Sequence, residues 1–161
     1  MKKKVILMML TALGVSGTGF SQAQNPECMT NLSIYAEHCK VKNYEAAYEP
    51  WKMVYDACPG INKANYSYGE KILEHKIDNA SGAEKEGYIK ELLSLYDQST
   101  EYFPKNYTKA DVASDKASLL YDNKMASDEE LYNMLSQAFK EDREDFDNPK
   151  ALYLYFSSLV D

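Results

Sequence analysis

The chain has 161 residues and a formal net charge of −7, with 18 Lys and Arg against 25 Asp and Glu. This length corresponds to one domain and is sufficient to bury a hydrophobic core. Because an acidic surface repels phosphate groups and anionic lipids, the composition disfavours nucleic-acid binding and peripheral membrane binding.

The first residues have the pattern of a cleavable secretory signal. A basic segment, Lys2 to Lys4, precedes a short apolar segment, Val5 to Val15, and Ser21-Gln22-Ala23 supplies small residues for cleavage after Ala23. The apolar segment is shorter than the roughly 20 residues that span a bilayer. We therefore expect a signal peptide at 1–23 and no membrane insertion after its removal, which leaves 15 basic and 25 acidic residues.

The sequence of this signal indicates the compartment to which the protein is exported. With its lysine run and its ending Phe20-Ser21-Gln22-Ala23-Gln24, it resembles the signals of the Bacteroidota. The resemblance implies export to the periplasm or the cell exterior of a Gram-negative bacterium. Cys28 does not directly follow a small-residue box, so no lipid anchor is expected.

Two apolar stripes with helical spacing follow the signal, joined by a short turn at 41–43. This arrangement predicts a pair of antiparallel helices. The first stripe is Cys28, Leu32, Tyr35, Ala36 and Cys39, and the second is Tyr44, Ala47, Trp51, Val54 and Cys58.

Further helix pairs are predicted downstream at 64–77 with 83–103 and at 110–123 with 128–146, followed by a helix at 149–160. Pro59, Pro104 and Pro149 are spaced 45 residues apart, which suggests repeats at about 27–59, 62–104 and 107–148. Two predicted capping boxes, Ser81 with Glu84 and Ser127 with Glu130, mark the starts of second helices. No segment alternates with period two, so the predicted fold class is all-α.

The segment 32–59 carries the landmark positions of a known helical repeat. They are Leu32, Tyr35, Ala36 and Cys39 in the first helix, then Ala47, Trp51 and Pro59. In these positions the segment resembles a tetratricopeptide repeat (TPR). It departs from the family pattern in a shorter turn, in Trp51 where the family has Phe, and in Val54 at a usually small position. The resemblance implies a right-handed array of antiparallel helix pairs over 24–161, a TPR-like solenoid that presents surface to peptides or proteins.

The cysteine spacing predicts one disulfide. Cys28 and Cys58 each lie about 15 residues from the turn near Asn43, so an antiparallel pair of helices places them opposite each other at its open end. Cys39 lies about 16 Å from Cys28 along the helix, beyond disulfide reach. We expect a Cys28–Cys58 bridge and a buried free thiol at Cys39.

Catalytic and metal-binding patterns are missing from the sequence. His38 and His75 are the only histidines, and no paired metal-ligand spacing or phosphate-binding glycine loop occurs. The acidic run at 141–148 lacks the glycine turn of a calcium loop and is interpreted as a solvated helix end. We expect no cofactor, no metal and no enzymatic activity.

The chain contains 14 tyrosines. Those on the predicted inward stripes are expected in the core, whereas Tyr66, Tyr107 and Tyr153 could reach the surface. Surface tyrosines suit protein contacts and sugar stacking equally well. The predicted core tyrosines are Tyr35, Tyr44, Tyr68, Tyr88, Tyr96 and Tyr121.

The final helix, 149–160, is apolar on nearly every face, with Asn148-Pro149 as its start. It either packs into the third repeat as a buried last helix, or opens a fourth repeat that needs a longer chain or a partner. We favour the second interpretation, and name Tyr153, Tyr155 and Phe156 as interaction candidates for a partner or for self-association.

The expected function is that of an exported, non-enzymatic scaffold whose helical-repeat surface binds proteins in the cell envelope. The alternative is an envelope module that binds glycans or small ligands through surface tyrosines.

Overall fold

The computed structural model describes residues 25–157. Over this range the chain forms seven α-helices and no strand, which confirms the all-α prediction. The predicted signal peptide at 1–23 and the end of the predicted last helix, from 158, lie outside the described residues. The helices are α1 (Pro26–Lys40), α2 (Tyr44–Ala57), α3 (Ala64–Asn79), α4 (Gly82–Tyr102), α5 (Lys109–Asp122), α6 (Asp128–Glu141) and α7 (Pro149–Ser157).

The first helix pair forms where the sequence predicts it. The Asn25 side chain caps α1 and the Asn43 side chain caps α2, each by accepting backbone N–H bonds from the first turn. Between the helices, Lys42 has a φ of 57°, in the left-handed region that reverses the chain in a tight turn. Local capping signals therefore fix the length of both helices.

The second helix of each pair ends in the same way. At the end of α2, α4 and α6, the backbone N–H of Cys58, Phe103 or Asp142 donates to a carbonyl four residues back. Counted from these ends, the three helices bury the same positions. The buried sets are Ala47, Trp51 and Val54 in α2, Leu92, Tyr96 and Ser99 in α4, and Leu131, Leu135 and Ala138 in α6.

This shared ending corrects the repeat spacing that the prolines predicted. Pro59 and Pro104 follow the ends of α2 and α4. Pro149 instead opens α7, as predicted from Asn148-Pro149, with the Asn148 side chain accepting from the Lys150 and Ala151 N–H groups. The structural spacing of the helix ends is thus 45 and then 39 residues. Pro149 lies 45 residues after Pro104 in the sequence, but it does not follow the end of a second helix as Pro59 and Pro104 do.

The predicted extension of α6 to Phe146 is also wrong. The helix ends at Glu141, and the segment 142–148 is not helical. The Asp142 carboxylate accepts the Ala110 backbone N–H, which satisfies an otherwise open donor at the start of α5. Phe146 turns inward and packs against Phe139 at 5.5 Å between ring centroids.

One of the two predicted capping boxes forms. Ser127 and Glu130 make the reciprocal bonds at the start of α6. Ser81 precedes α4 but makes no capping hydrogen bond, and Gly82 beside it has a φ of 57°, outside the helical region. The structure instead shows a capping box that was not predicted, formed by Thr108 and Asp111 at the start of α5.

The buried residues form two cores. The first core is built from α1 to α4 and receives Val112 from α5, whereas the second core lies among α5, α6 and α7. Each helix packs on the next along the chain, and α1 also contacts α3 as α5 contacts α7. Among the described helices, however, α3 and α5 make no close backbone approach.

Gly69 in α3 provides a sensitive test of the first core. A Cβ atom there would lie 2.5 Å from Leu95 Cδ1 and 2.6 Å from Trp51 Nε1, and both neighbours are buried. We expect Gly69→Ala to lower the free energy of unfolding by about 2 kcal/mol, because overpacking outweighs the gain in helix propensity. The measurement is urea unfolding followed by circular dichroism.

The matched control for this test is Gly87→Ala in α4, where an added Cβ would meet no atom within 4 Å. There the substitution should raise the free energy of unfolding by about 0.5–1 kcal/mol. A stabilising effect at both glycines would contradict the close packing of α3 against Trp51 and Leu95.

Candidate functional site

The three cysteines behave as predicted from their spacing. Cys28 and Cys58 form a disulfide with their Cα atoms 6.4 Å apart, which confirms the predicted bridge. Cys39 is the free thiol and is buried. Its burial raises the pKa to about 11, against a smaller opposing effect of Lys71, so the thiol is protonated at neutral pH and is a poor nucleophile.

The last described helix, α7, is anchored on one side. Ala151, Leu154 and Tyr155 are buried against α5 and α6. The Tyr155 ring stacks on Tyr132 at 5.6 Å and lies 5.4 Å from Phe139. Tyr155 is therefore part of the second core, and its assignment as a surface interaction candidate is corrected because only 9% of it is exposed.

The other two candidates are at the surface. Tyr153 is 66% exposed and Phe156 is 52% exposed. We call these two residues the α7 face. Beside it, Lys150 pairs with Asp122 at 2.5 Å and lies 5.9 Å from the centroid of the Tyr121 ring. The side of α7 opposite to its buried residues thus presents large aromatic side chains to solvent.

Between α2, α3 and α4 the surface is closed by aromatic rings. Tyr48 of α2 meets Tyr88 of α4 at 5.8 Å, and its hydroxyl donates to Glu91 at 2.9 Å. Lys76 of α3 lies 5.0 Å from the Tyr48 ring and bonds Glu45 at 2.7 Å. Side chains of α2 and α4 therefore contact each other beside α3, and the rings leave little room for a ligand.

The corresponding place between α4, α5 and α6 is open. Counted back from Cys58 and Phe103, Tyr55 of α2 and Thr100 of α4 hold the same position, and the smaller Thr100 side chain lines a groove here. The groove has a volume of about 380 Å³. Its apolar lining consists of Val112, Ala113, Met134 and Ala138.

Ion pairs border this groove. Lys116 bonds Asp97 at 2.7 Å, and Lys109 bonds Glu141 at 3.2 Å. Each lysine is thus already paired with an acid, and the groove has charges of both signs around an apolar floor. Such a lining suits a small ligand with an apolar part better than a free anion.

A cluster of acids lies where α3 faces α5. The Tyr96 hydroxyl donates to Glu70 Oε1 at 2.9 Å. The pKa of the Asp115 carboxyl group is raised to about 6, first by burial and then by the like charges of Glu70, Asp111 and Glu74. The cluster joins residues of three helices and was not predicted from the sequence.

The predicted distribution of tyrosines is partly correct. Tyr35 and Tyr96 are buried as expected, and Tyr44, Tyr68 and Tyr88 are partly buried at the edge of the first core. Two assignments are wrong: Tyr121 is 45% exposed, whereas Tyr66 is fully buried beside Phe103.

The part of the chain that the structure describes has no grouped metal-binding side chains and no membrane-spanning helix. Within residues 25–157, no three His, Cys, Asp or Glu side chains are grouped so that they could hold a metal ion. The His75 ring packs on Tyr44, with 5.7 Å between the ring centroids. Of the helices described, none is both long and apolar enough to cross a bilayer.

Comparison with known proteins adds no family. No protein-family model, no curated protein and no solved structure matches this chain.

Proposed function

We propose that this chain is an exported, non-enzymatic scaffold of the cell envelope, with its helix pairs arranged as a TPR-like, right-handed array that binds a protein partner. The α7 face is the observation that carries the proposal. Tyr153 and Phe156 are exposed on a helix whose other side is anchored by Tyr155, which stacks on Tyr132. Exposed aromatic residues are typical anchors of protein interfaces.

Several features support export and array formation. The Cys28–Cys58 bridge is compatible with an oxidising compartment. The second helices α2, α4 and α6 bury equivalent positions and end alike, as stacked repeats do. In addition, α7 packs on α5 and α6 as α3 packs on α1 and α2, which is the contact pattern expected in a TPR-like array.

The test is photocrosslinking in the native cell. A benzophenone amino acid replaces Tyr153, and the matched control replaces Tyr102, an exposed tyrosine of α4. We expect Tyr153 to give a discrete protein adduct that Tyr102 does not give. Adding Phe156→Ala should lower its yield about tenfold, because aromatic anchors contribute roughly 1.5 kcal/mol or more to binding.

The outcomes separate the possible occupants. An adduct with a second copy of this chain would identify the α7 face as a self-association surface, and an adduct with another protein would identify a scaffold. Equal labelling from both positions, or none from either, would contradict the proposal.

The alternative function is a module that binds glycans or small ligands, and the groove between α4, α5 and α6 supports it. Exposed Tyr121 and Tyr153 offer further stacking surfaces for sugars. Retention on a glycan array, together with the absence of an adduct from Tyr153, would favour this function over the scaffold.

A further inference from the structure

The groove between α4, α5 and α6 is lined mainly by one face of α5 and one face of α6. Each of these two helices contributes four residues at positions i, i+3, i+4 and i+7, which is the spacing of a single helix face. Asp97 and Thr100 of α4 line the third side. The contributions are Lys109, Val112, Ala113 and Lys116 from α5, and Met134, Gln137, Ala138 and Glu141 from α6.

An ion pair lies at each end of this groove. Lys116 bonds Asp97 at 2.7 Å at one end, and Lys109 bonds Glu141 at 3.2 Å at the other. Since Lys109 and Lys116 are seven residues apart on α5, about 10 Å along the helix axis separate the two pairs. The stretch between them is apolar, with Val112 on the same face of α5.

The four charged side chains restrict the kind of molecule that fits. Each end offers one positive and one negative group, so the groove has no net charge although the chain as a whole is acidic. A dianion or a dication would add two charges of one sign, whereas a zwitterion leaves the groove neutral. One end of a zwitterion can pair with a lysine and the other with an acid, and its apolar middle can cover the floor.

We propose that this groove binds a small zwitterion whose ammonium and carboxylate groups lie about 10 Å apart around an apolar middle. A tripeptide with free termini has this form, because three extended residues span about 10 Å. The inference names a ligand for the alternative function, the small-ligand module, and rests on that function rather than on the scaffold.

The exposure of the ion pairs sets the orientation of the ligand. The Lys116 side chain is 22% exposed, whereas Lys109 at the other end is 74% exposed. Among the acids, Glu141 is 41% exposed and Asp97 is 65% exposed. Because charges that are sheltered from water attract more strongly, the ligand carboxylate lies at Lys116 and the ammonium at Glu141.

Neither anchor has to lose its present partner. The Lys116 ammonium has three donor hydrogens, so it can bond Asp97 and the ligand carboxylate together. Glu141 accepts from Lys109 through Oε2 and from Gln137 through Oε1. Each of these oxygens has a second lone pair that can accept the ligand ammonium.

The test is isothermal titration calorimetry of the purified protein with the tripeptide Ala-Leu-Ala at low ionic strength. We expect one binding site per chain. Amidation of the C-terminus and acetylation of the N-terminus should each lower the association constant at least about tenfold, because each removes a hydrogen bond between charged groups. The peptide that is blocked at both ends is the matched control, since it keeps the same apolar middle.

Two variants test the orientation. Lys116→Gln removes the anchor of the carboxylate, so it should bind Ala-Leu-Ala and its amide equally while it still distinguishes the acetylated peptide. Lys90→Gln, which removes an exposed lysine of α4 outside the groove, should behave like the parent chain. Circular dichroism checks that both variants are folded.

The peptide series on the parent chain decides the proposal even if a variant fails to fold. No heat of binding from Ala-Leu-Ala at millimolar concentration, or equal binding of the free and the doubly blocked peptide, would overturn it. A full preference of folded Lys116→Gln for the free carboxylate would overturn it as well.

The outcomes also separate this inference from the functions proposed above. Tighter binding of a neutral disaccharide than of Ala-Leu-Ala would overturn the zwitterion site and leave the alternative function standing. None of these results affects the crosslinking test at Tyr153, so a failure here is distinct from a failure of the scaffold.

Discussion

Replacing Trp51 by alanine should lower the free energy of unfolding by about 4 kcal/mol, the largest effect expected from any single substitution in the chain. The indole is fully buried, and its Nε1 donates to the Asn65 carbonyl at 2.8 Å. It also stacks on Tyr55 at 5.1 Å. Because small domains have only about 5–15 kcal/mol of stability, this loss should be visible directly in urea unfolding.

A second variant separates ring volume from the hydrogen bond. Trp51→Phe keeps an aromatic ring but removes the donor to the Asn65 backbone carbonyl. We expect it to cost about 1–2 kcal/mol. As a control, Tyr102→Ala removes an aromatic side chain that is 38% exposed and should change stability by less than about 1 kcal/mol. Similar losses for Trp51→Ala and Tyr102→Ala would contradict the central position of Trp51.

The local part of the fold was predictable because its signals lie close together in the sequence. The stripe that contains Tyr35 and Cys39 and the stripe that contains Trp51 have helical spacing, and the structure buries these residues. Reflection of the two helices about the turn near Asn43 sufficed to pair Cys28 with Cys58. In this segment, each inference used residues within about 15 positions of the turn.

The errors arise where tertiary contacts decide the local structure. Asp142 to Phe146 has a composition that a helix tolerates, but Asp142 bonds Ala110 of α5 and Phe146 joins the second core. Tyr66 and Tyr121 were assigned to the wrong sides because a shift of one residue rotates a helical side chain by about 100°. Ser81 has the sequence of a cap but is followed by Gly82 outside helical geometry.

The candidate sites show the same limit. The apolar composition of the last helix predicted an exposed surface there, but only the packing of Tyr155 on Tyr132 shows which residues remain outside. The groove depends on small residues of three helices, such as Thr100 and Ala113, and small residues carry no signal of their own.

The acid cluster had a signal that was not used. Glu70 with Glu74 and Asp111 with Asp115 are i, i+4 pairs on the first helices of consecutive pairs. Residues four apart lie on one face of a helix, so each pair makes an acidic stripe. That Glu70 and Glu74 act on the Asp115 carboxyl group follows only from the tertiary structure, because α3 and α5 are not neighbours in the sequence.

Removal of the disulfide should have the second largest effect on stability. The bridge joins the beginning of α1 to the residue that ends α2, over a sequence separation of 30 residues. Closing a loop of this length restricts the unfolded chain and contributes about 3–4 kcal/mol to the free energy of unfolding. The double variant Cys28→Ala, Cys58→Ala should have a free energy of unfolding lower by this amount. Both positions are buried in the first core.

The control for the bridge is Cys39→Ala, which removes the buried free thiol and should cost only about 1 kcal/mol, the transfer and cavity terms of one small group. Adding a reductant should destabilise the parent chain and Cys39→Ala but leave the double variant unchanged. Thiol counting in denaturant completes the test, with one free thiol expected in the parent chain. Three free thiols, or a bridge that contains Cys39, would contradict the Cys28–Cys58 pairing. A Cys28–Cys39 bridge is not expected, because about 16 Å along α1 separate the two residues, which exceeds disulfide reach.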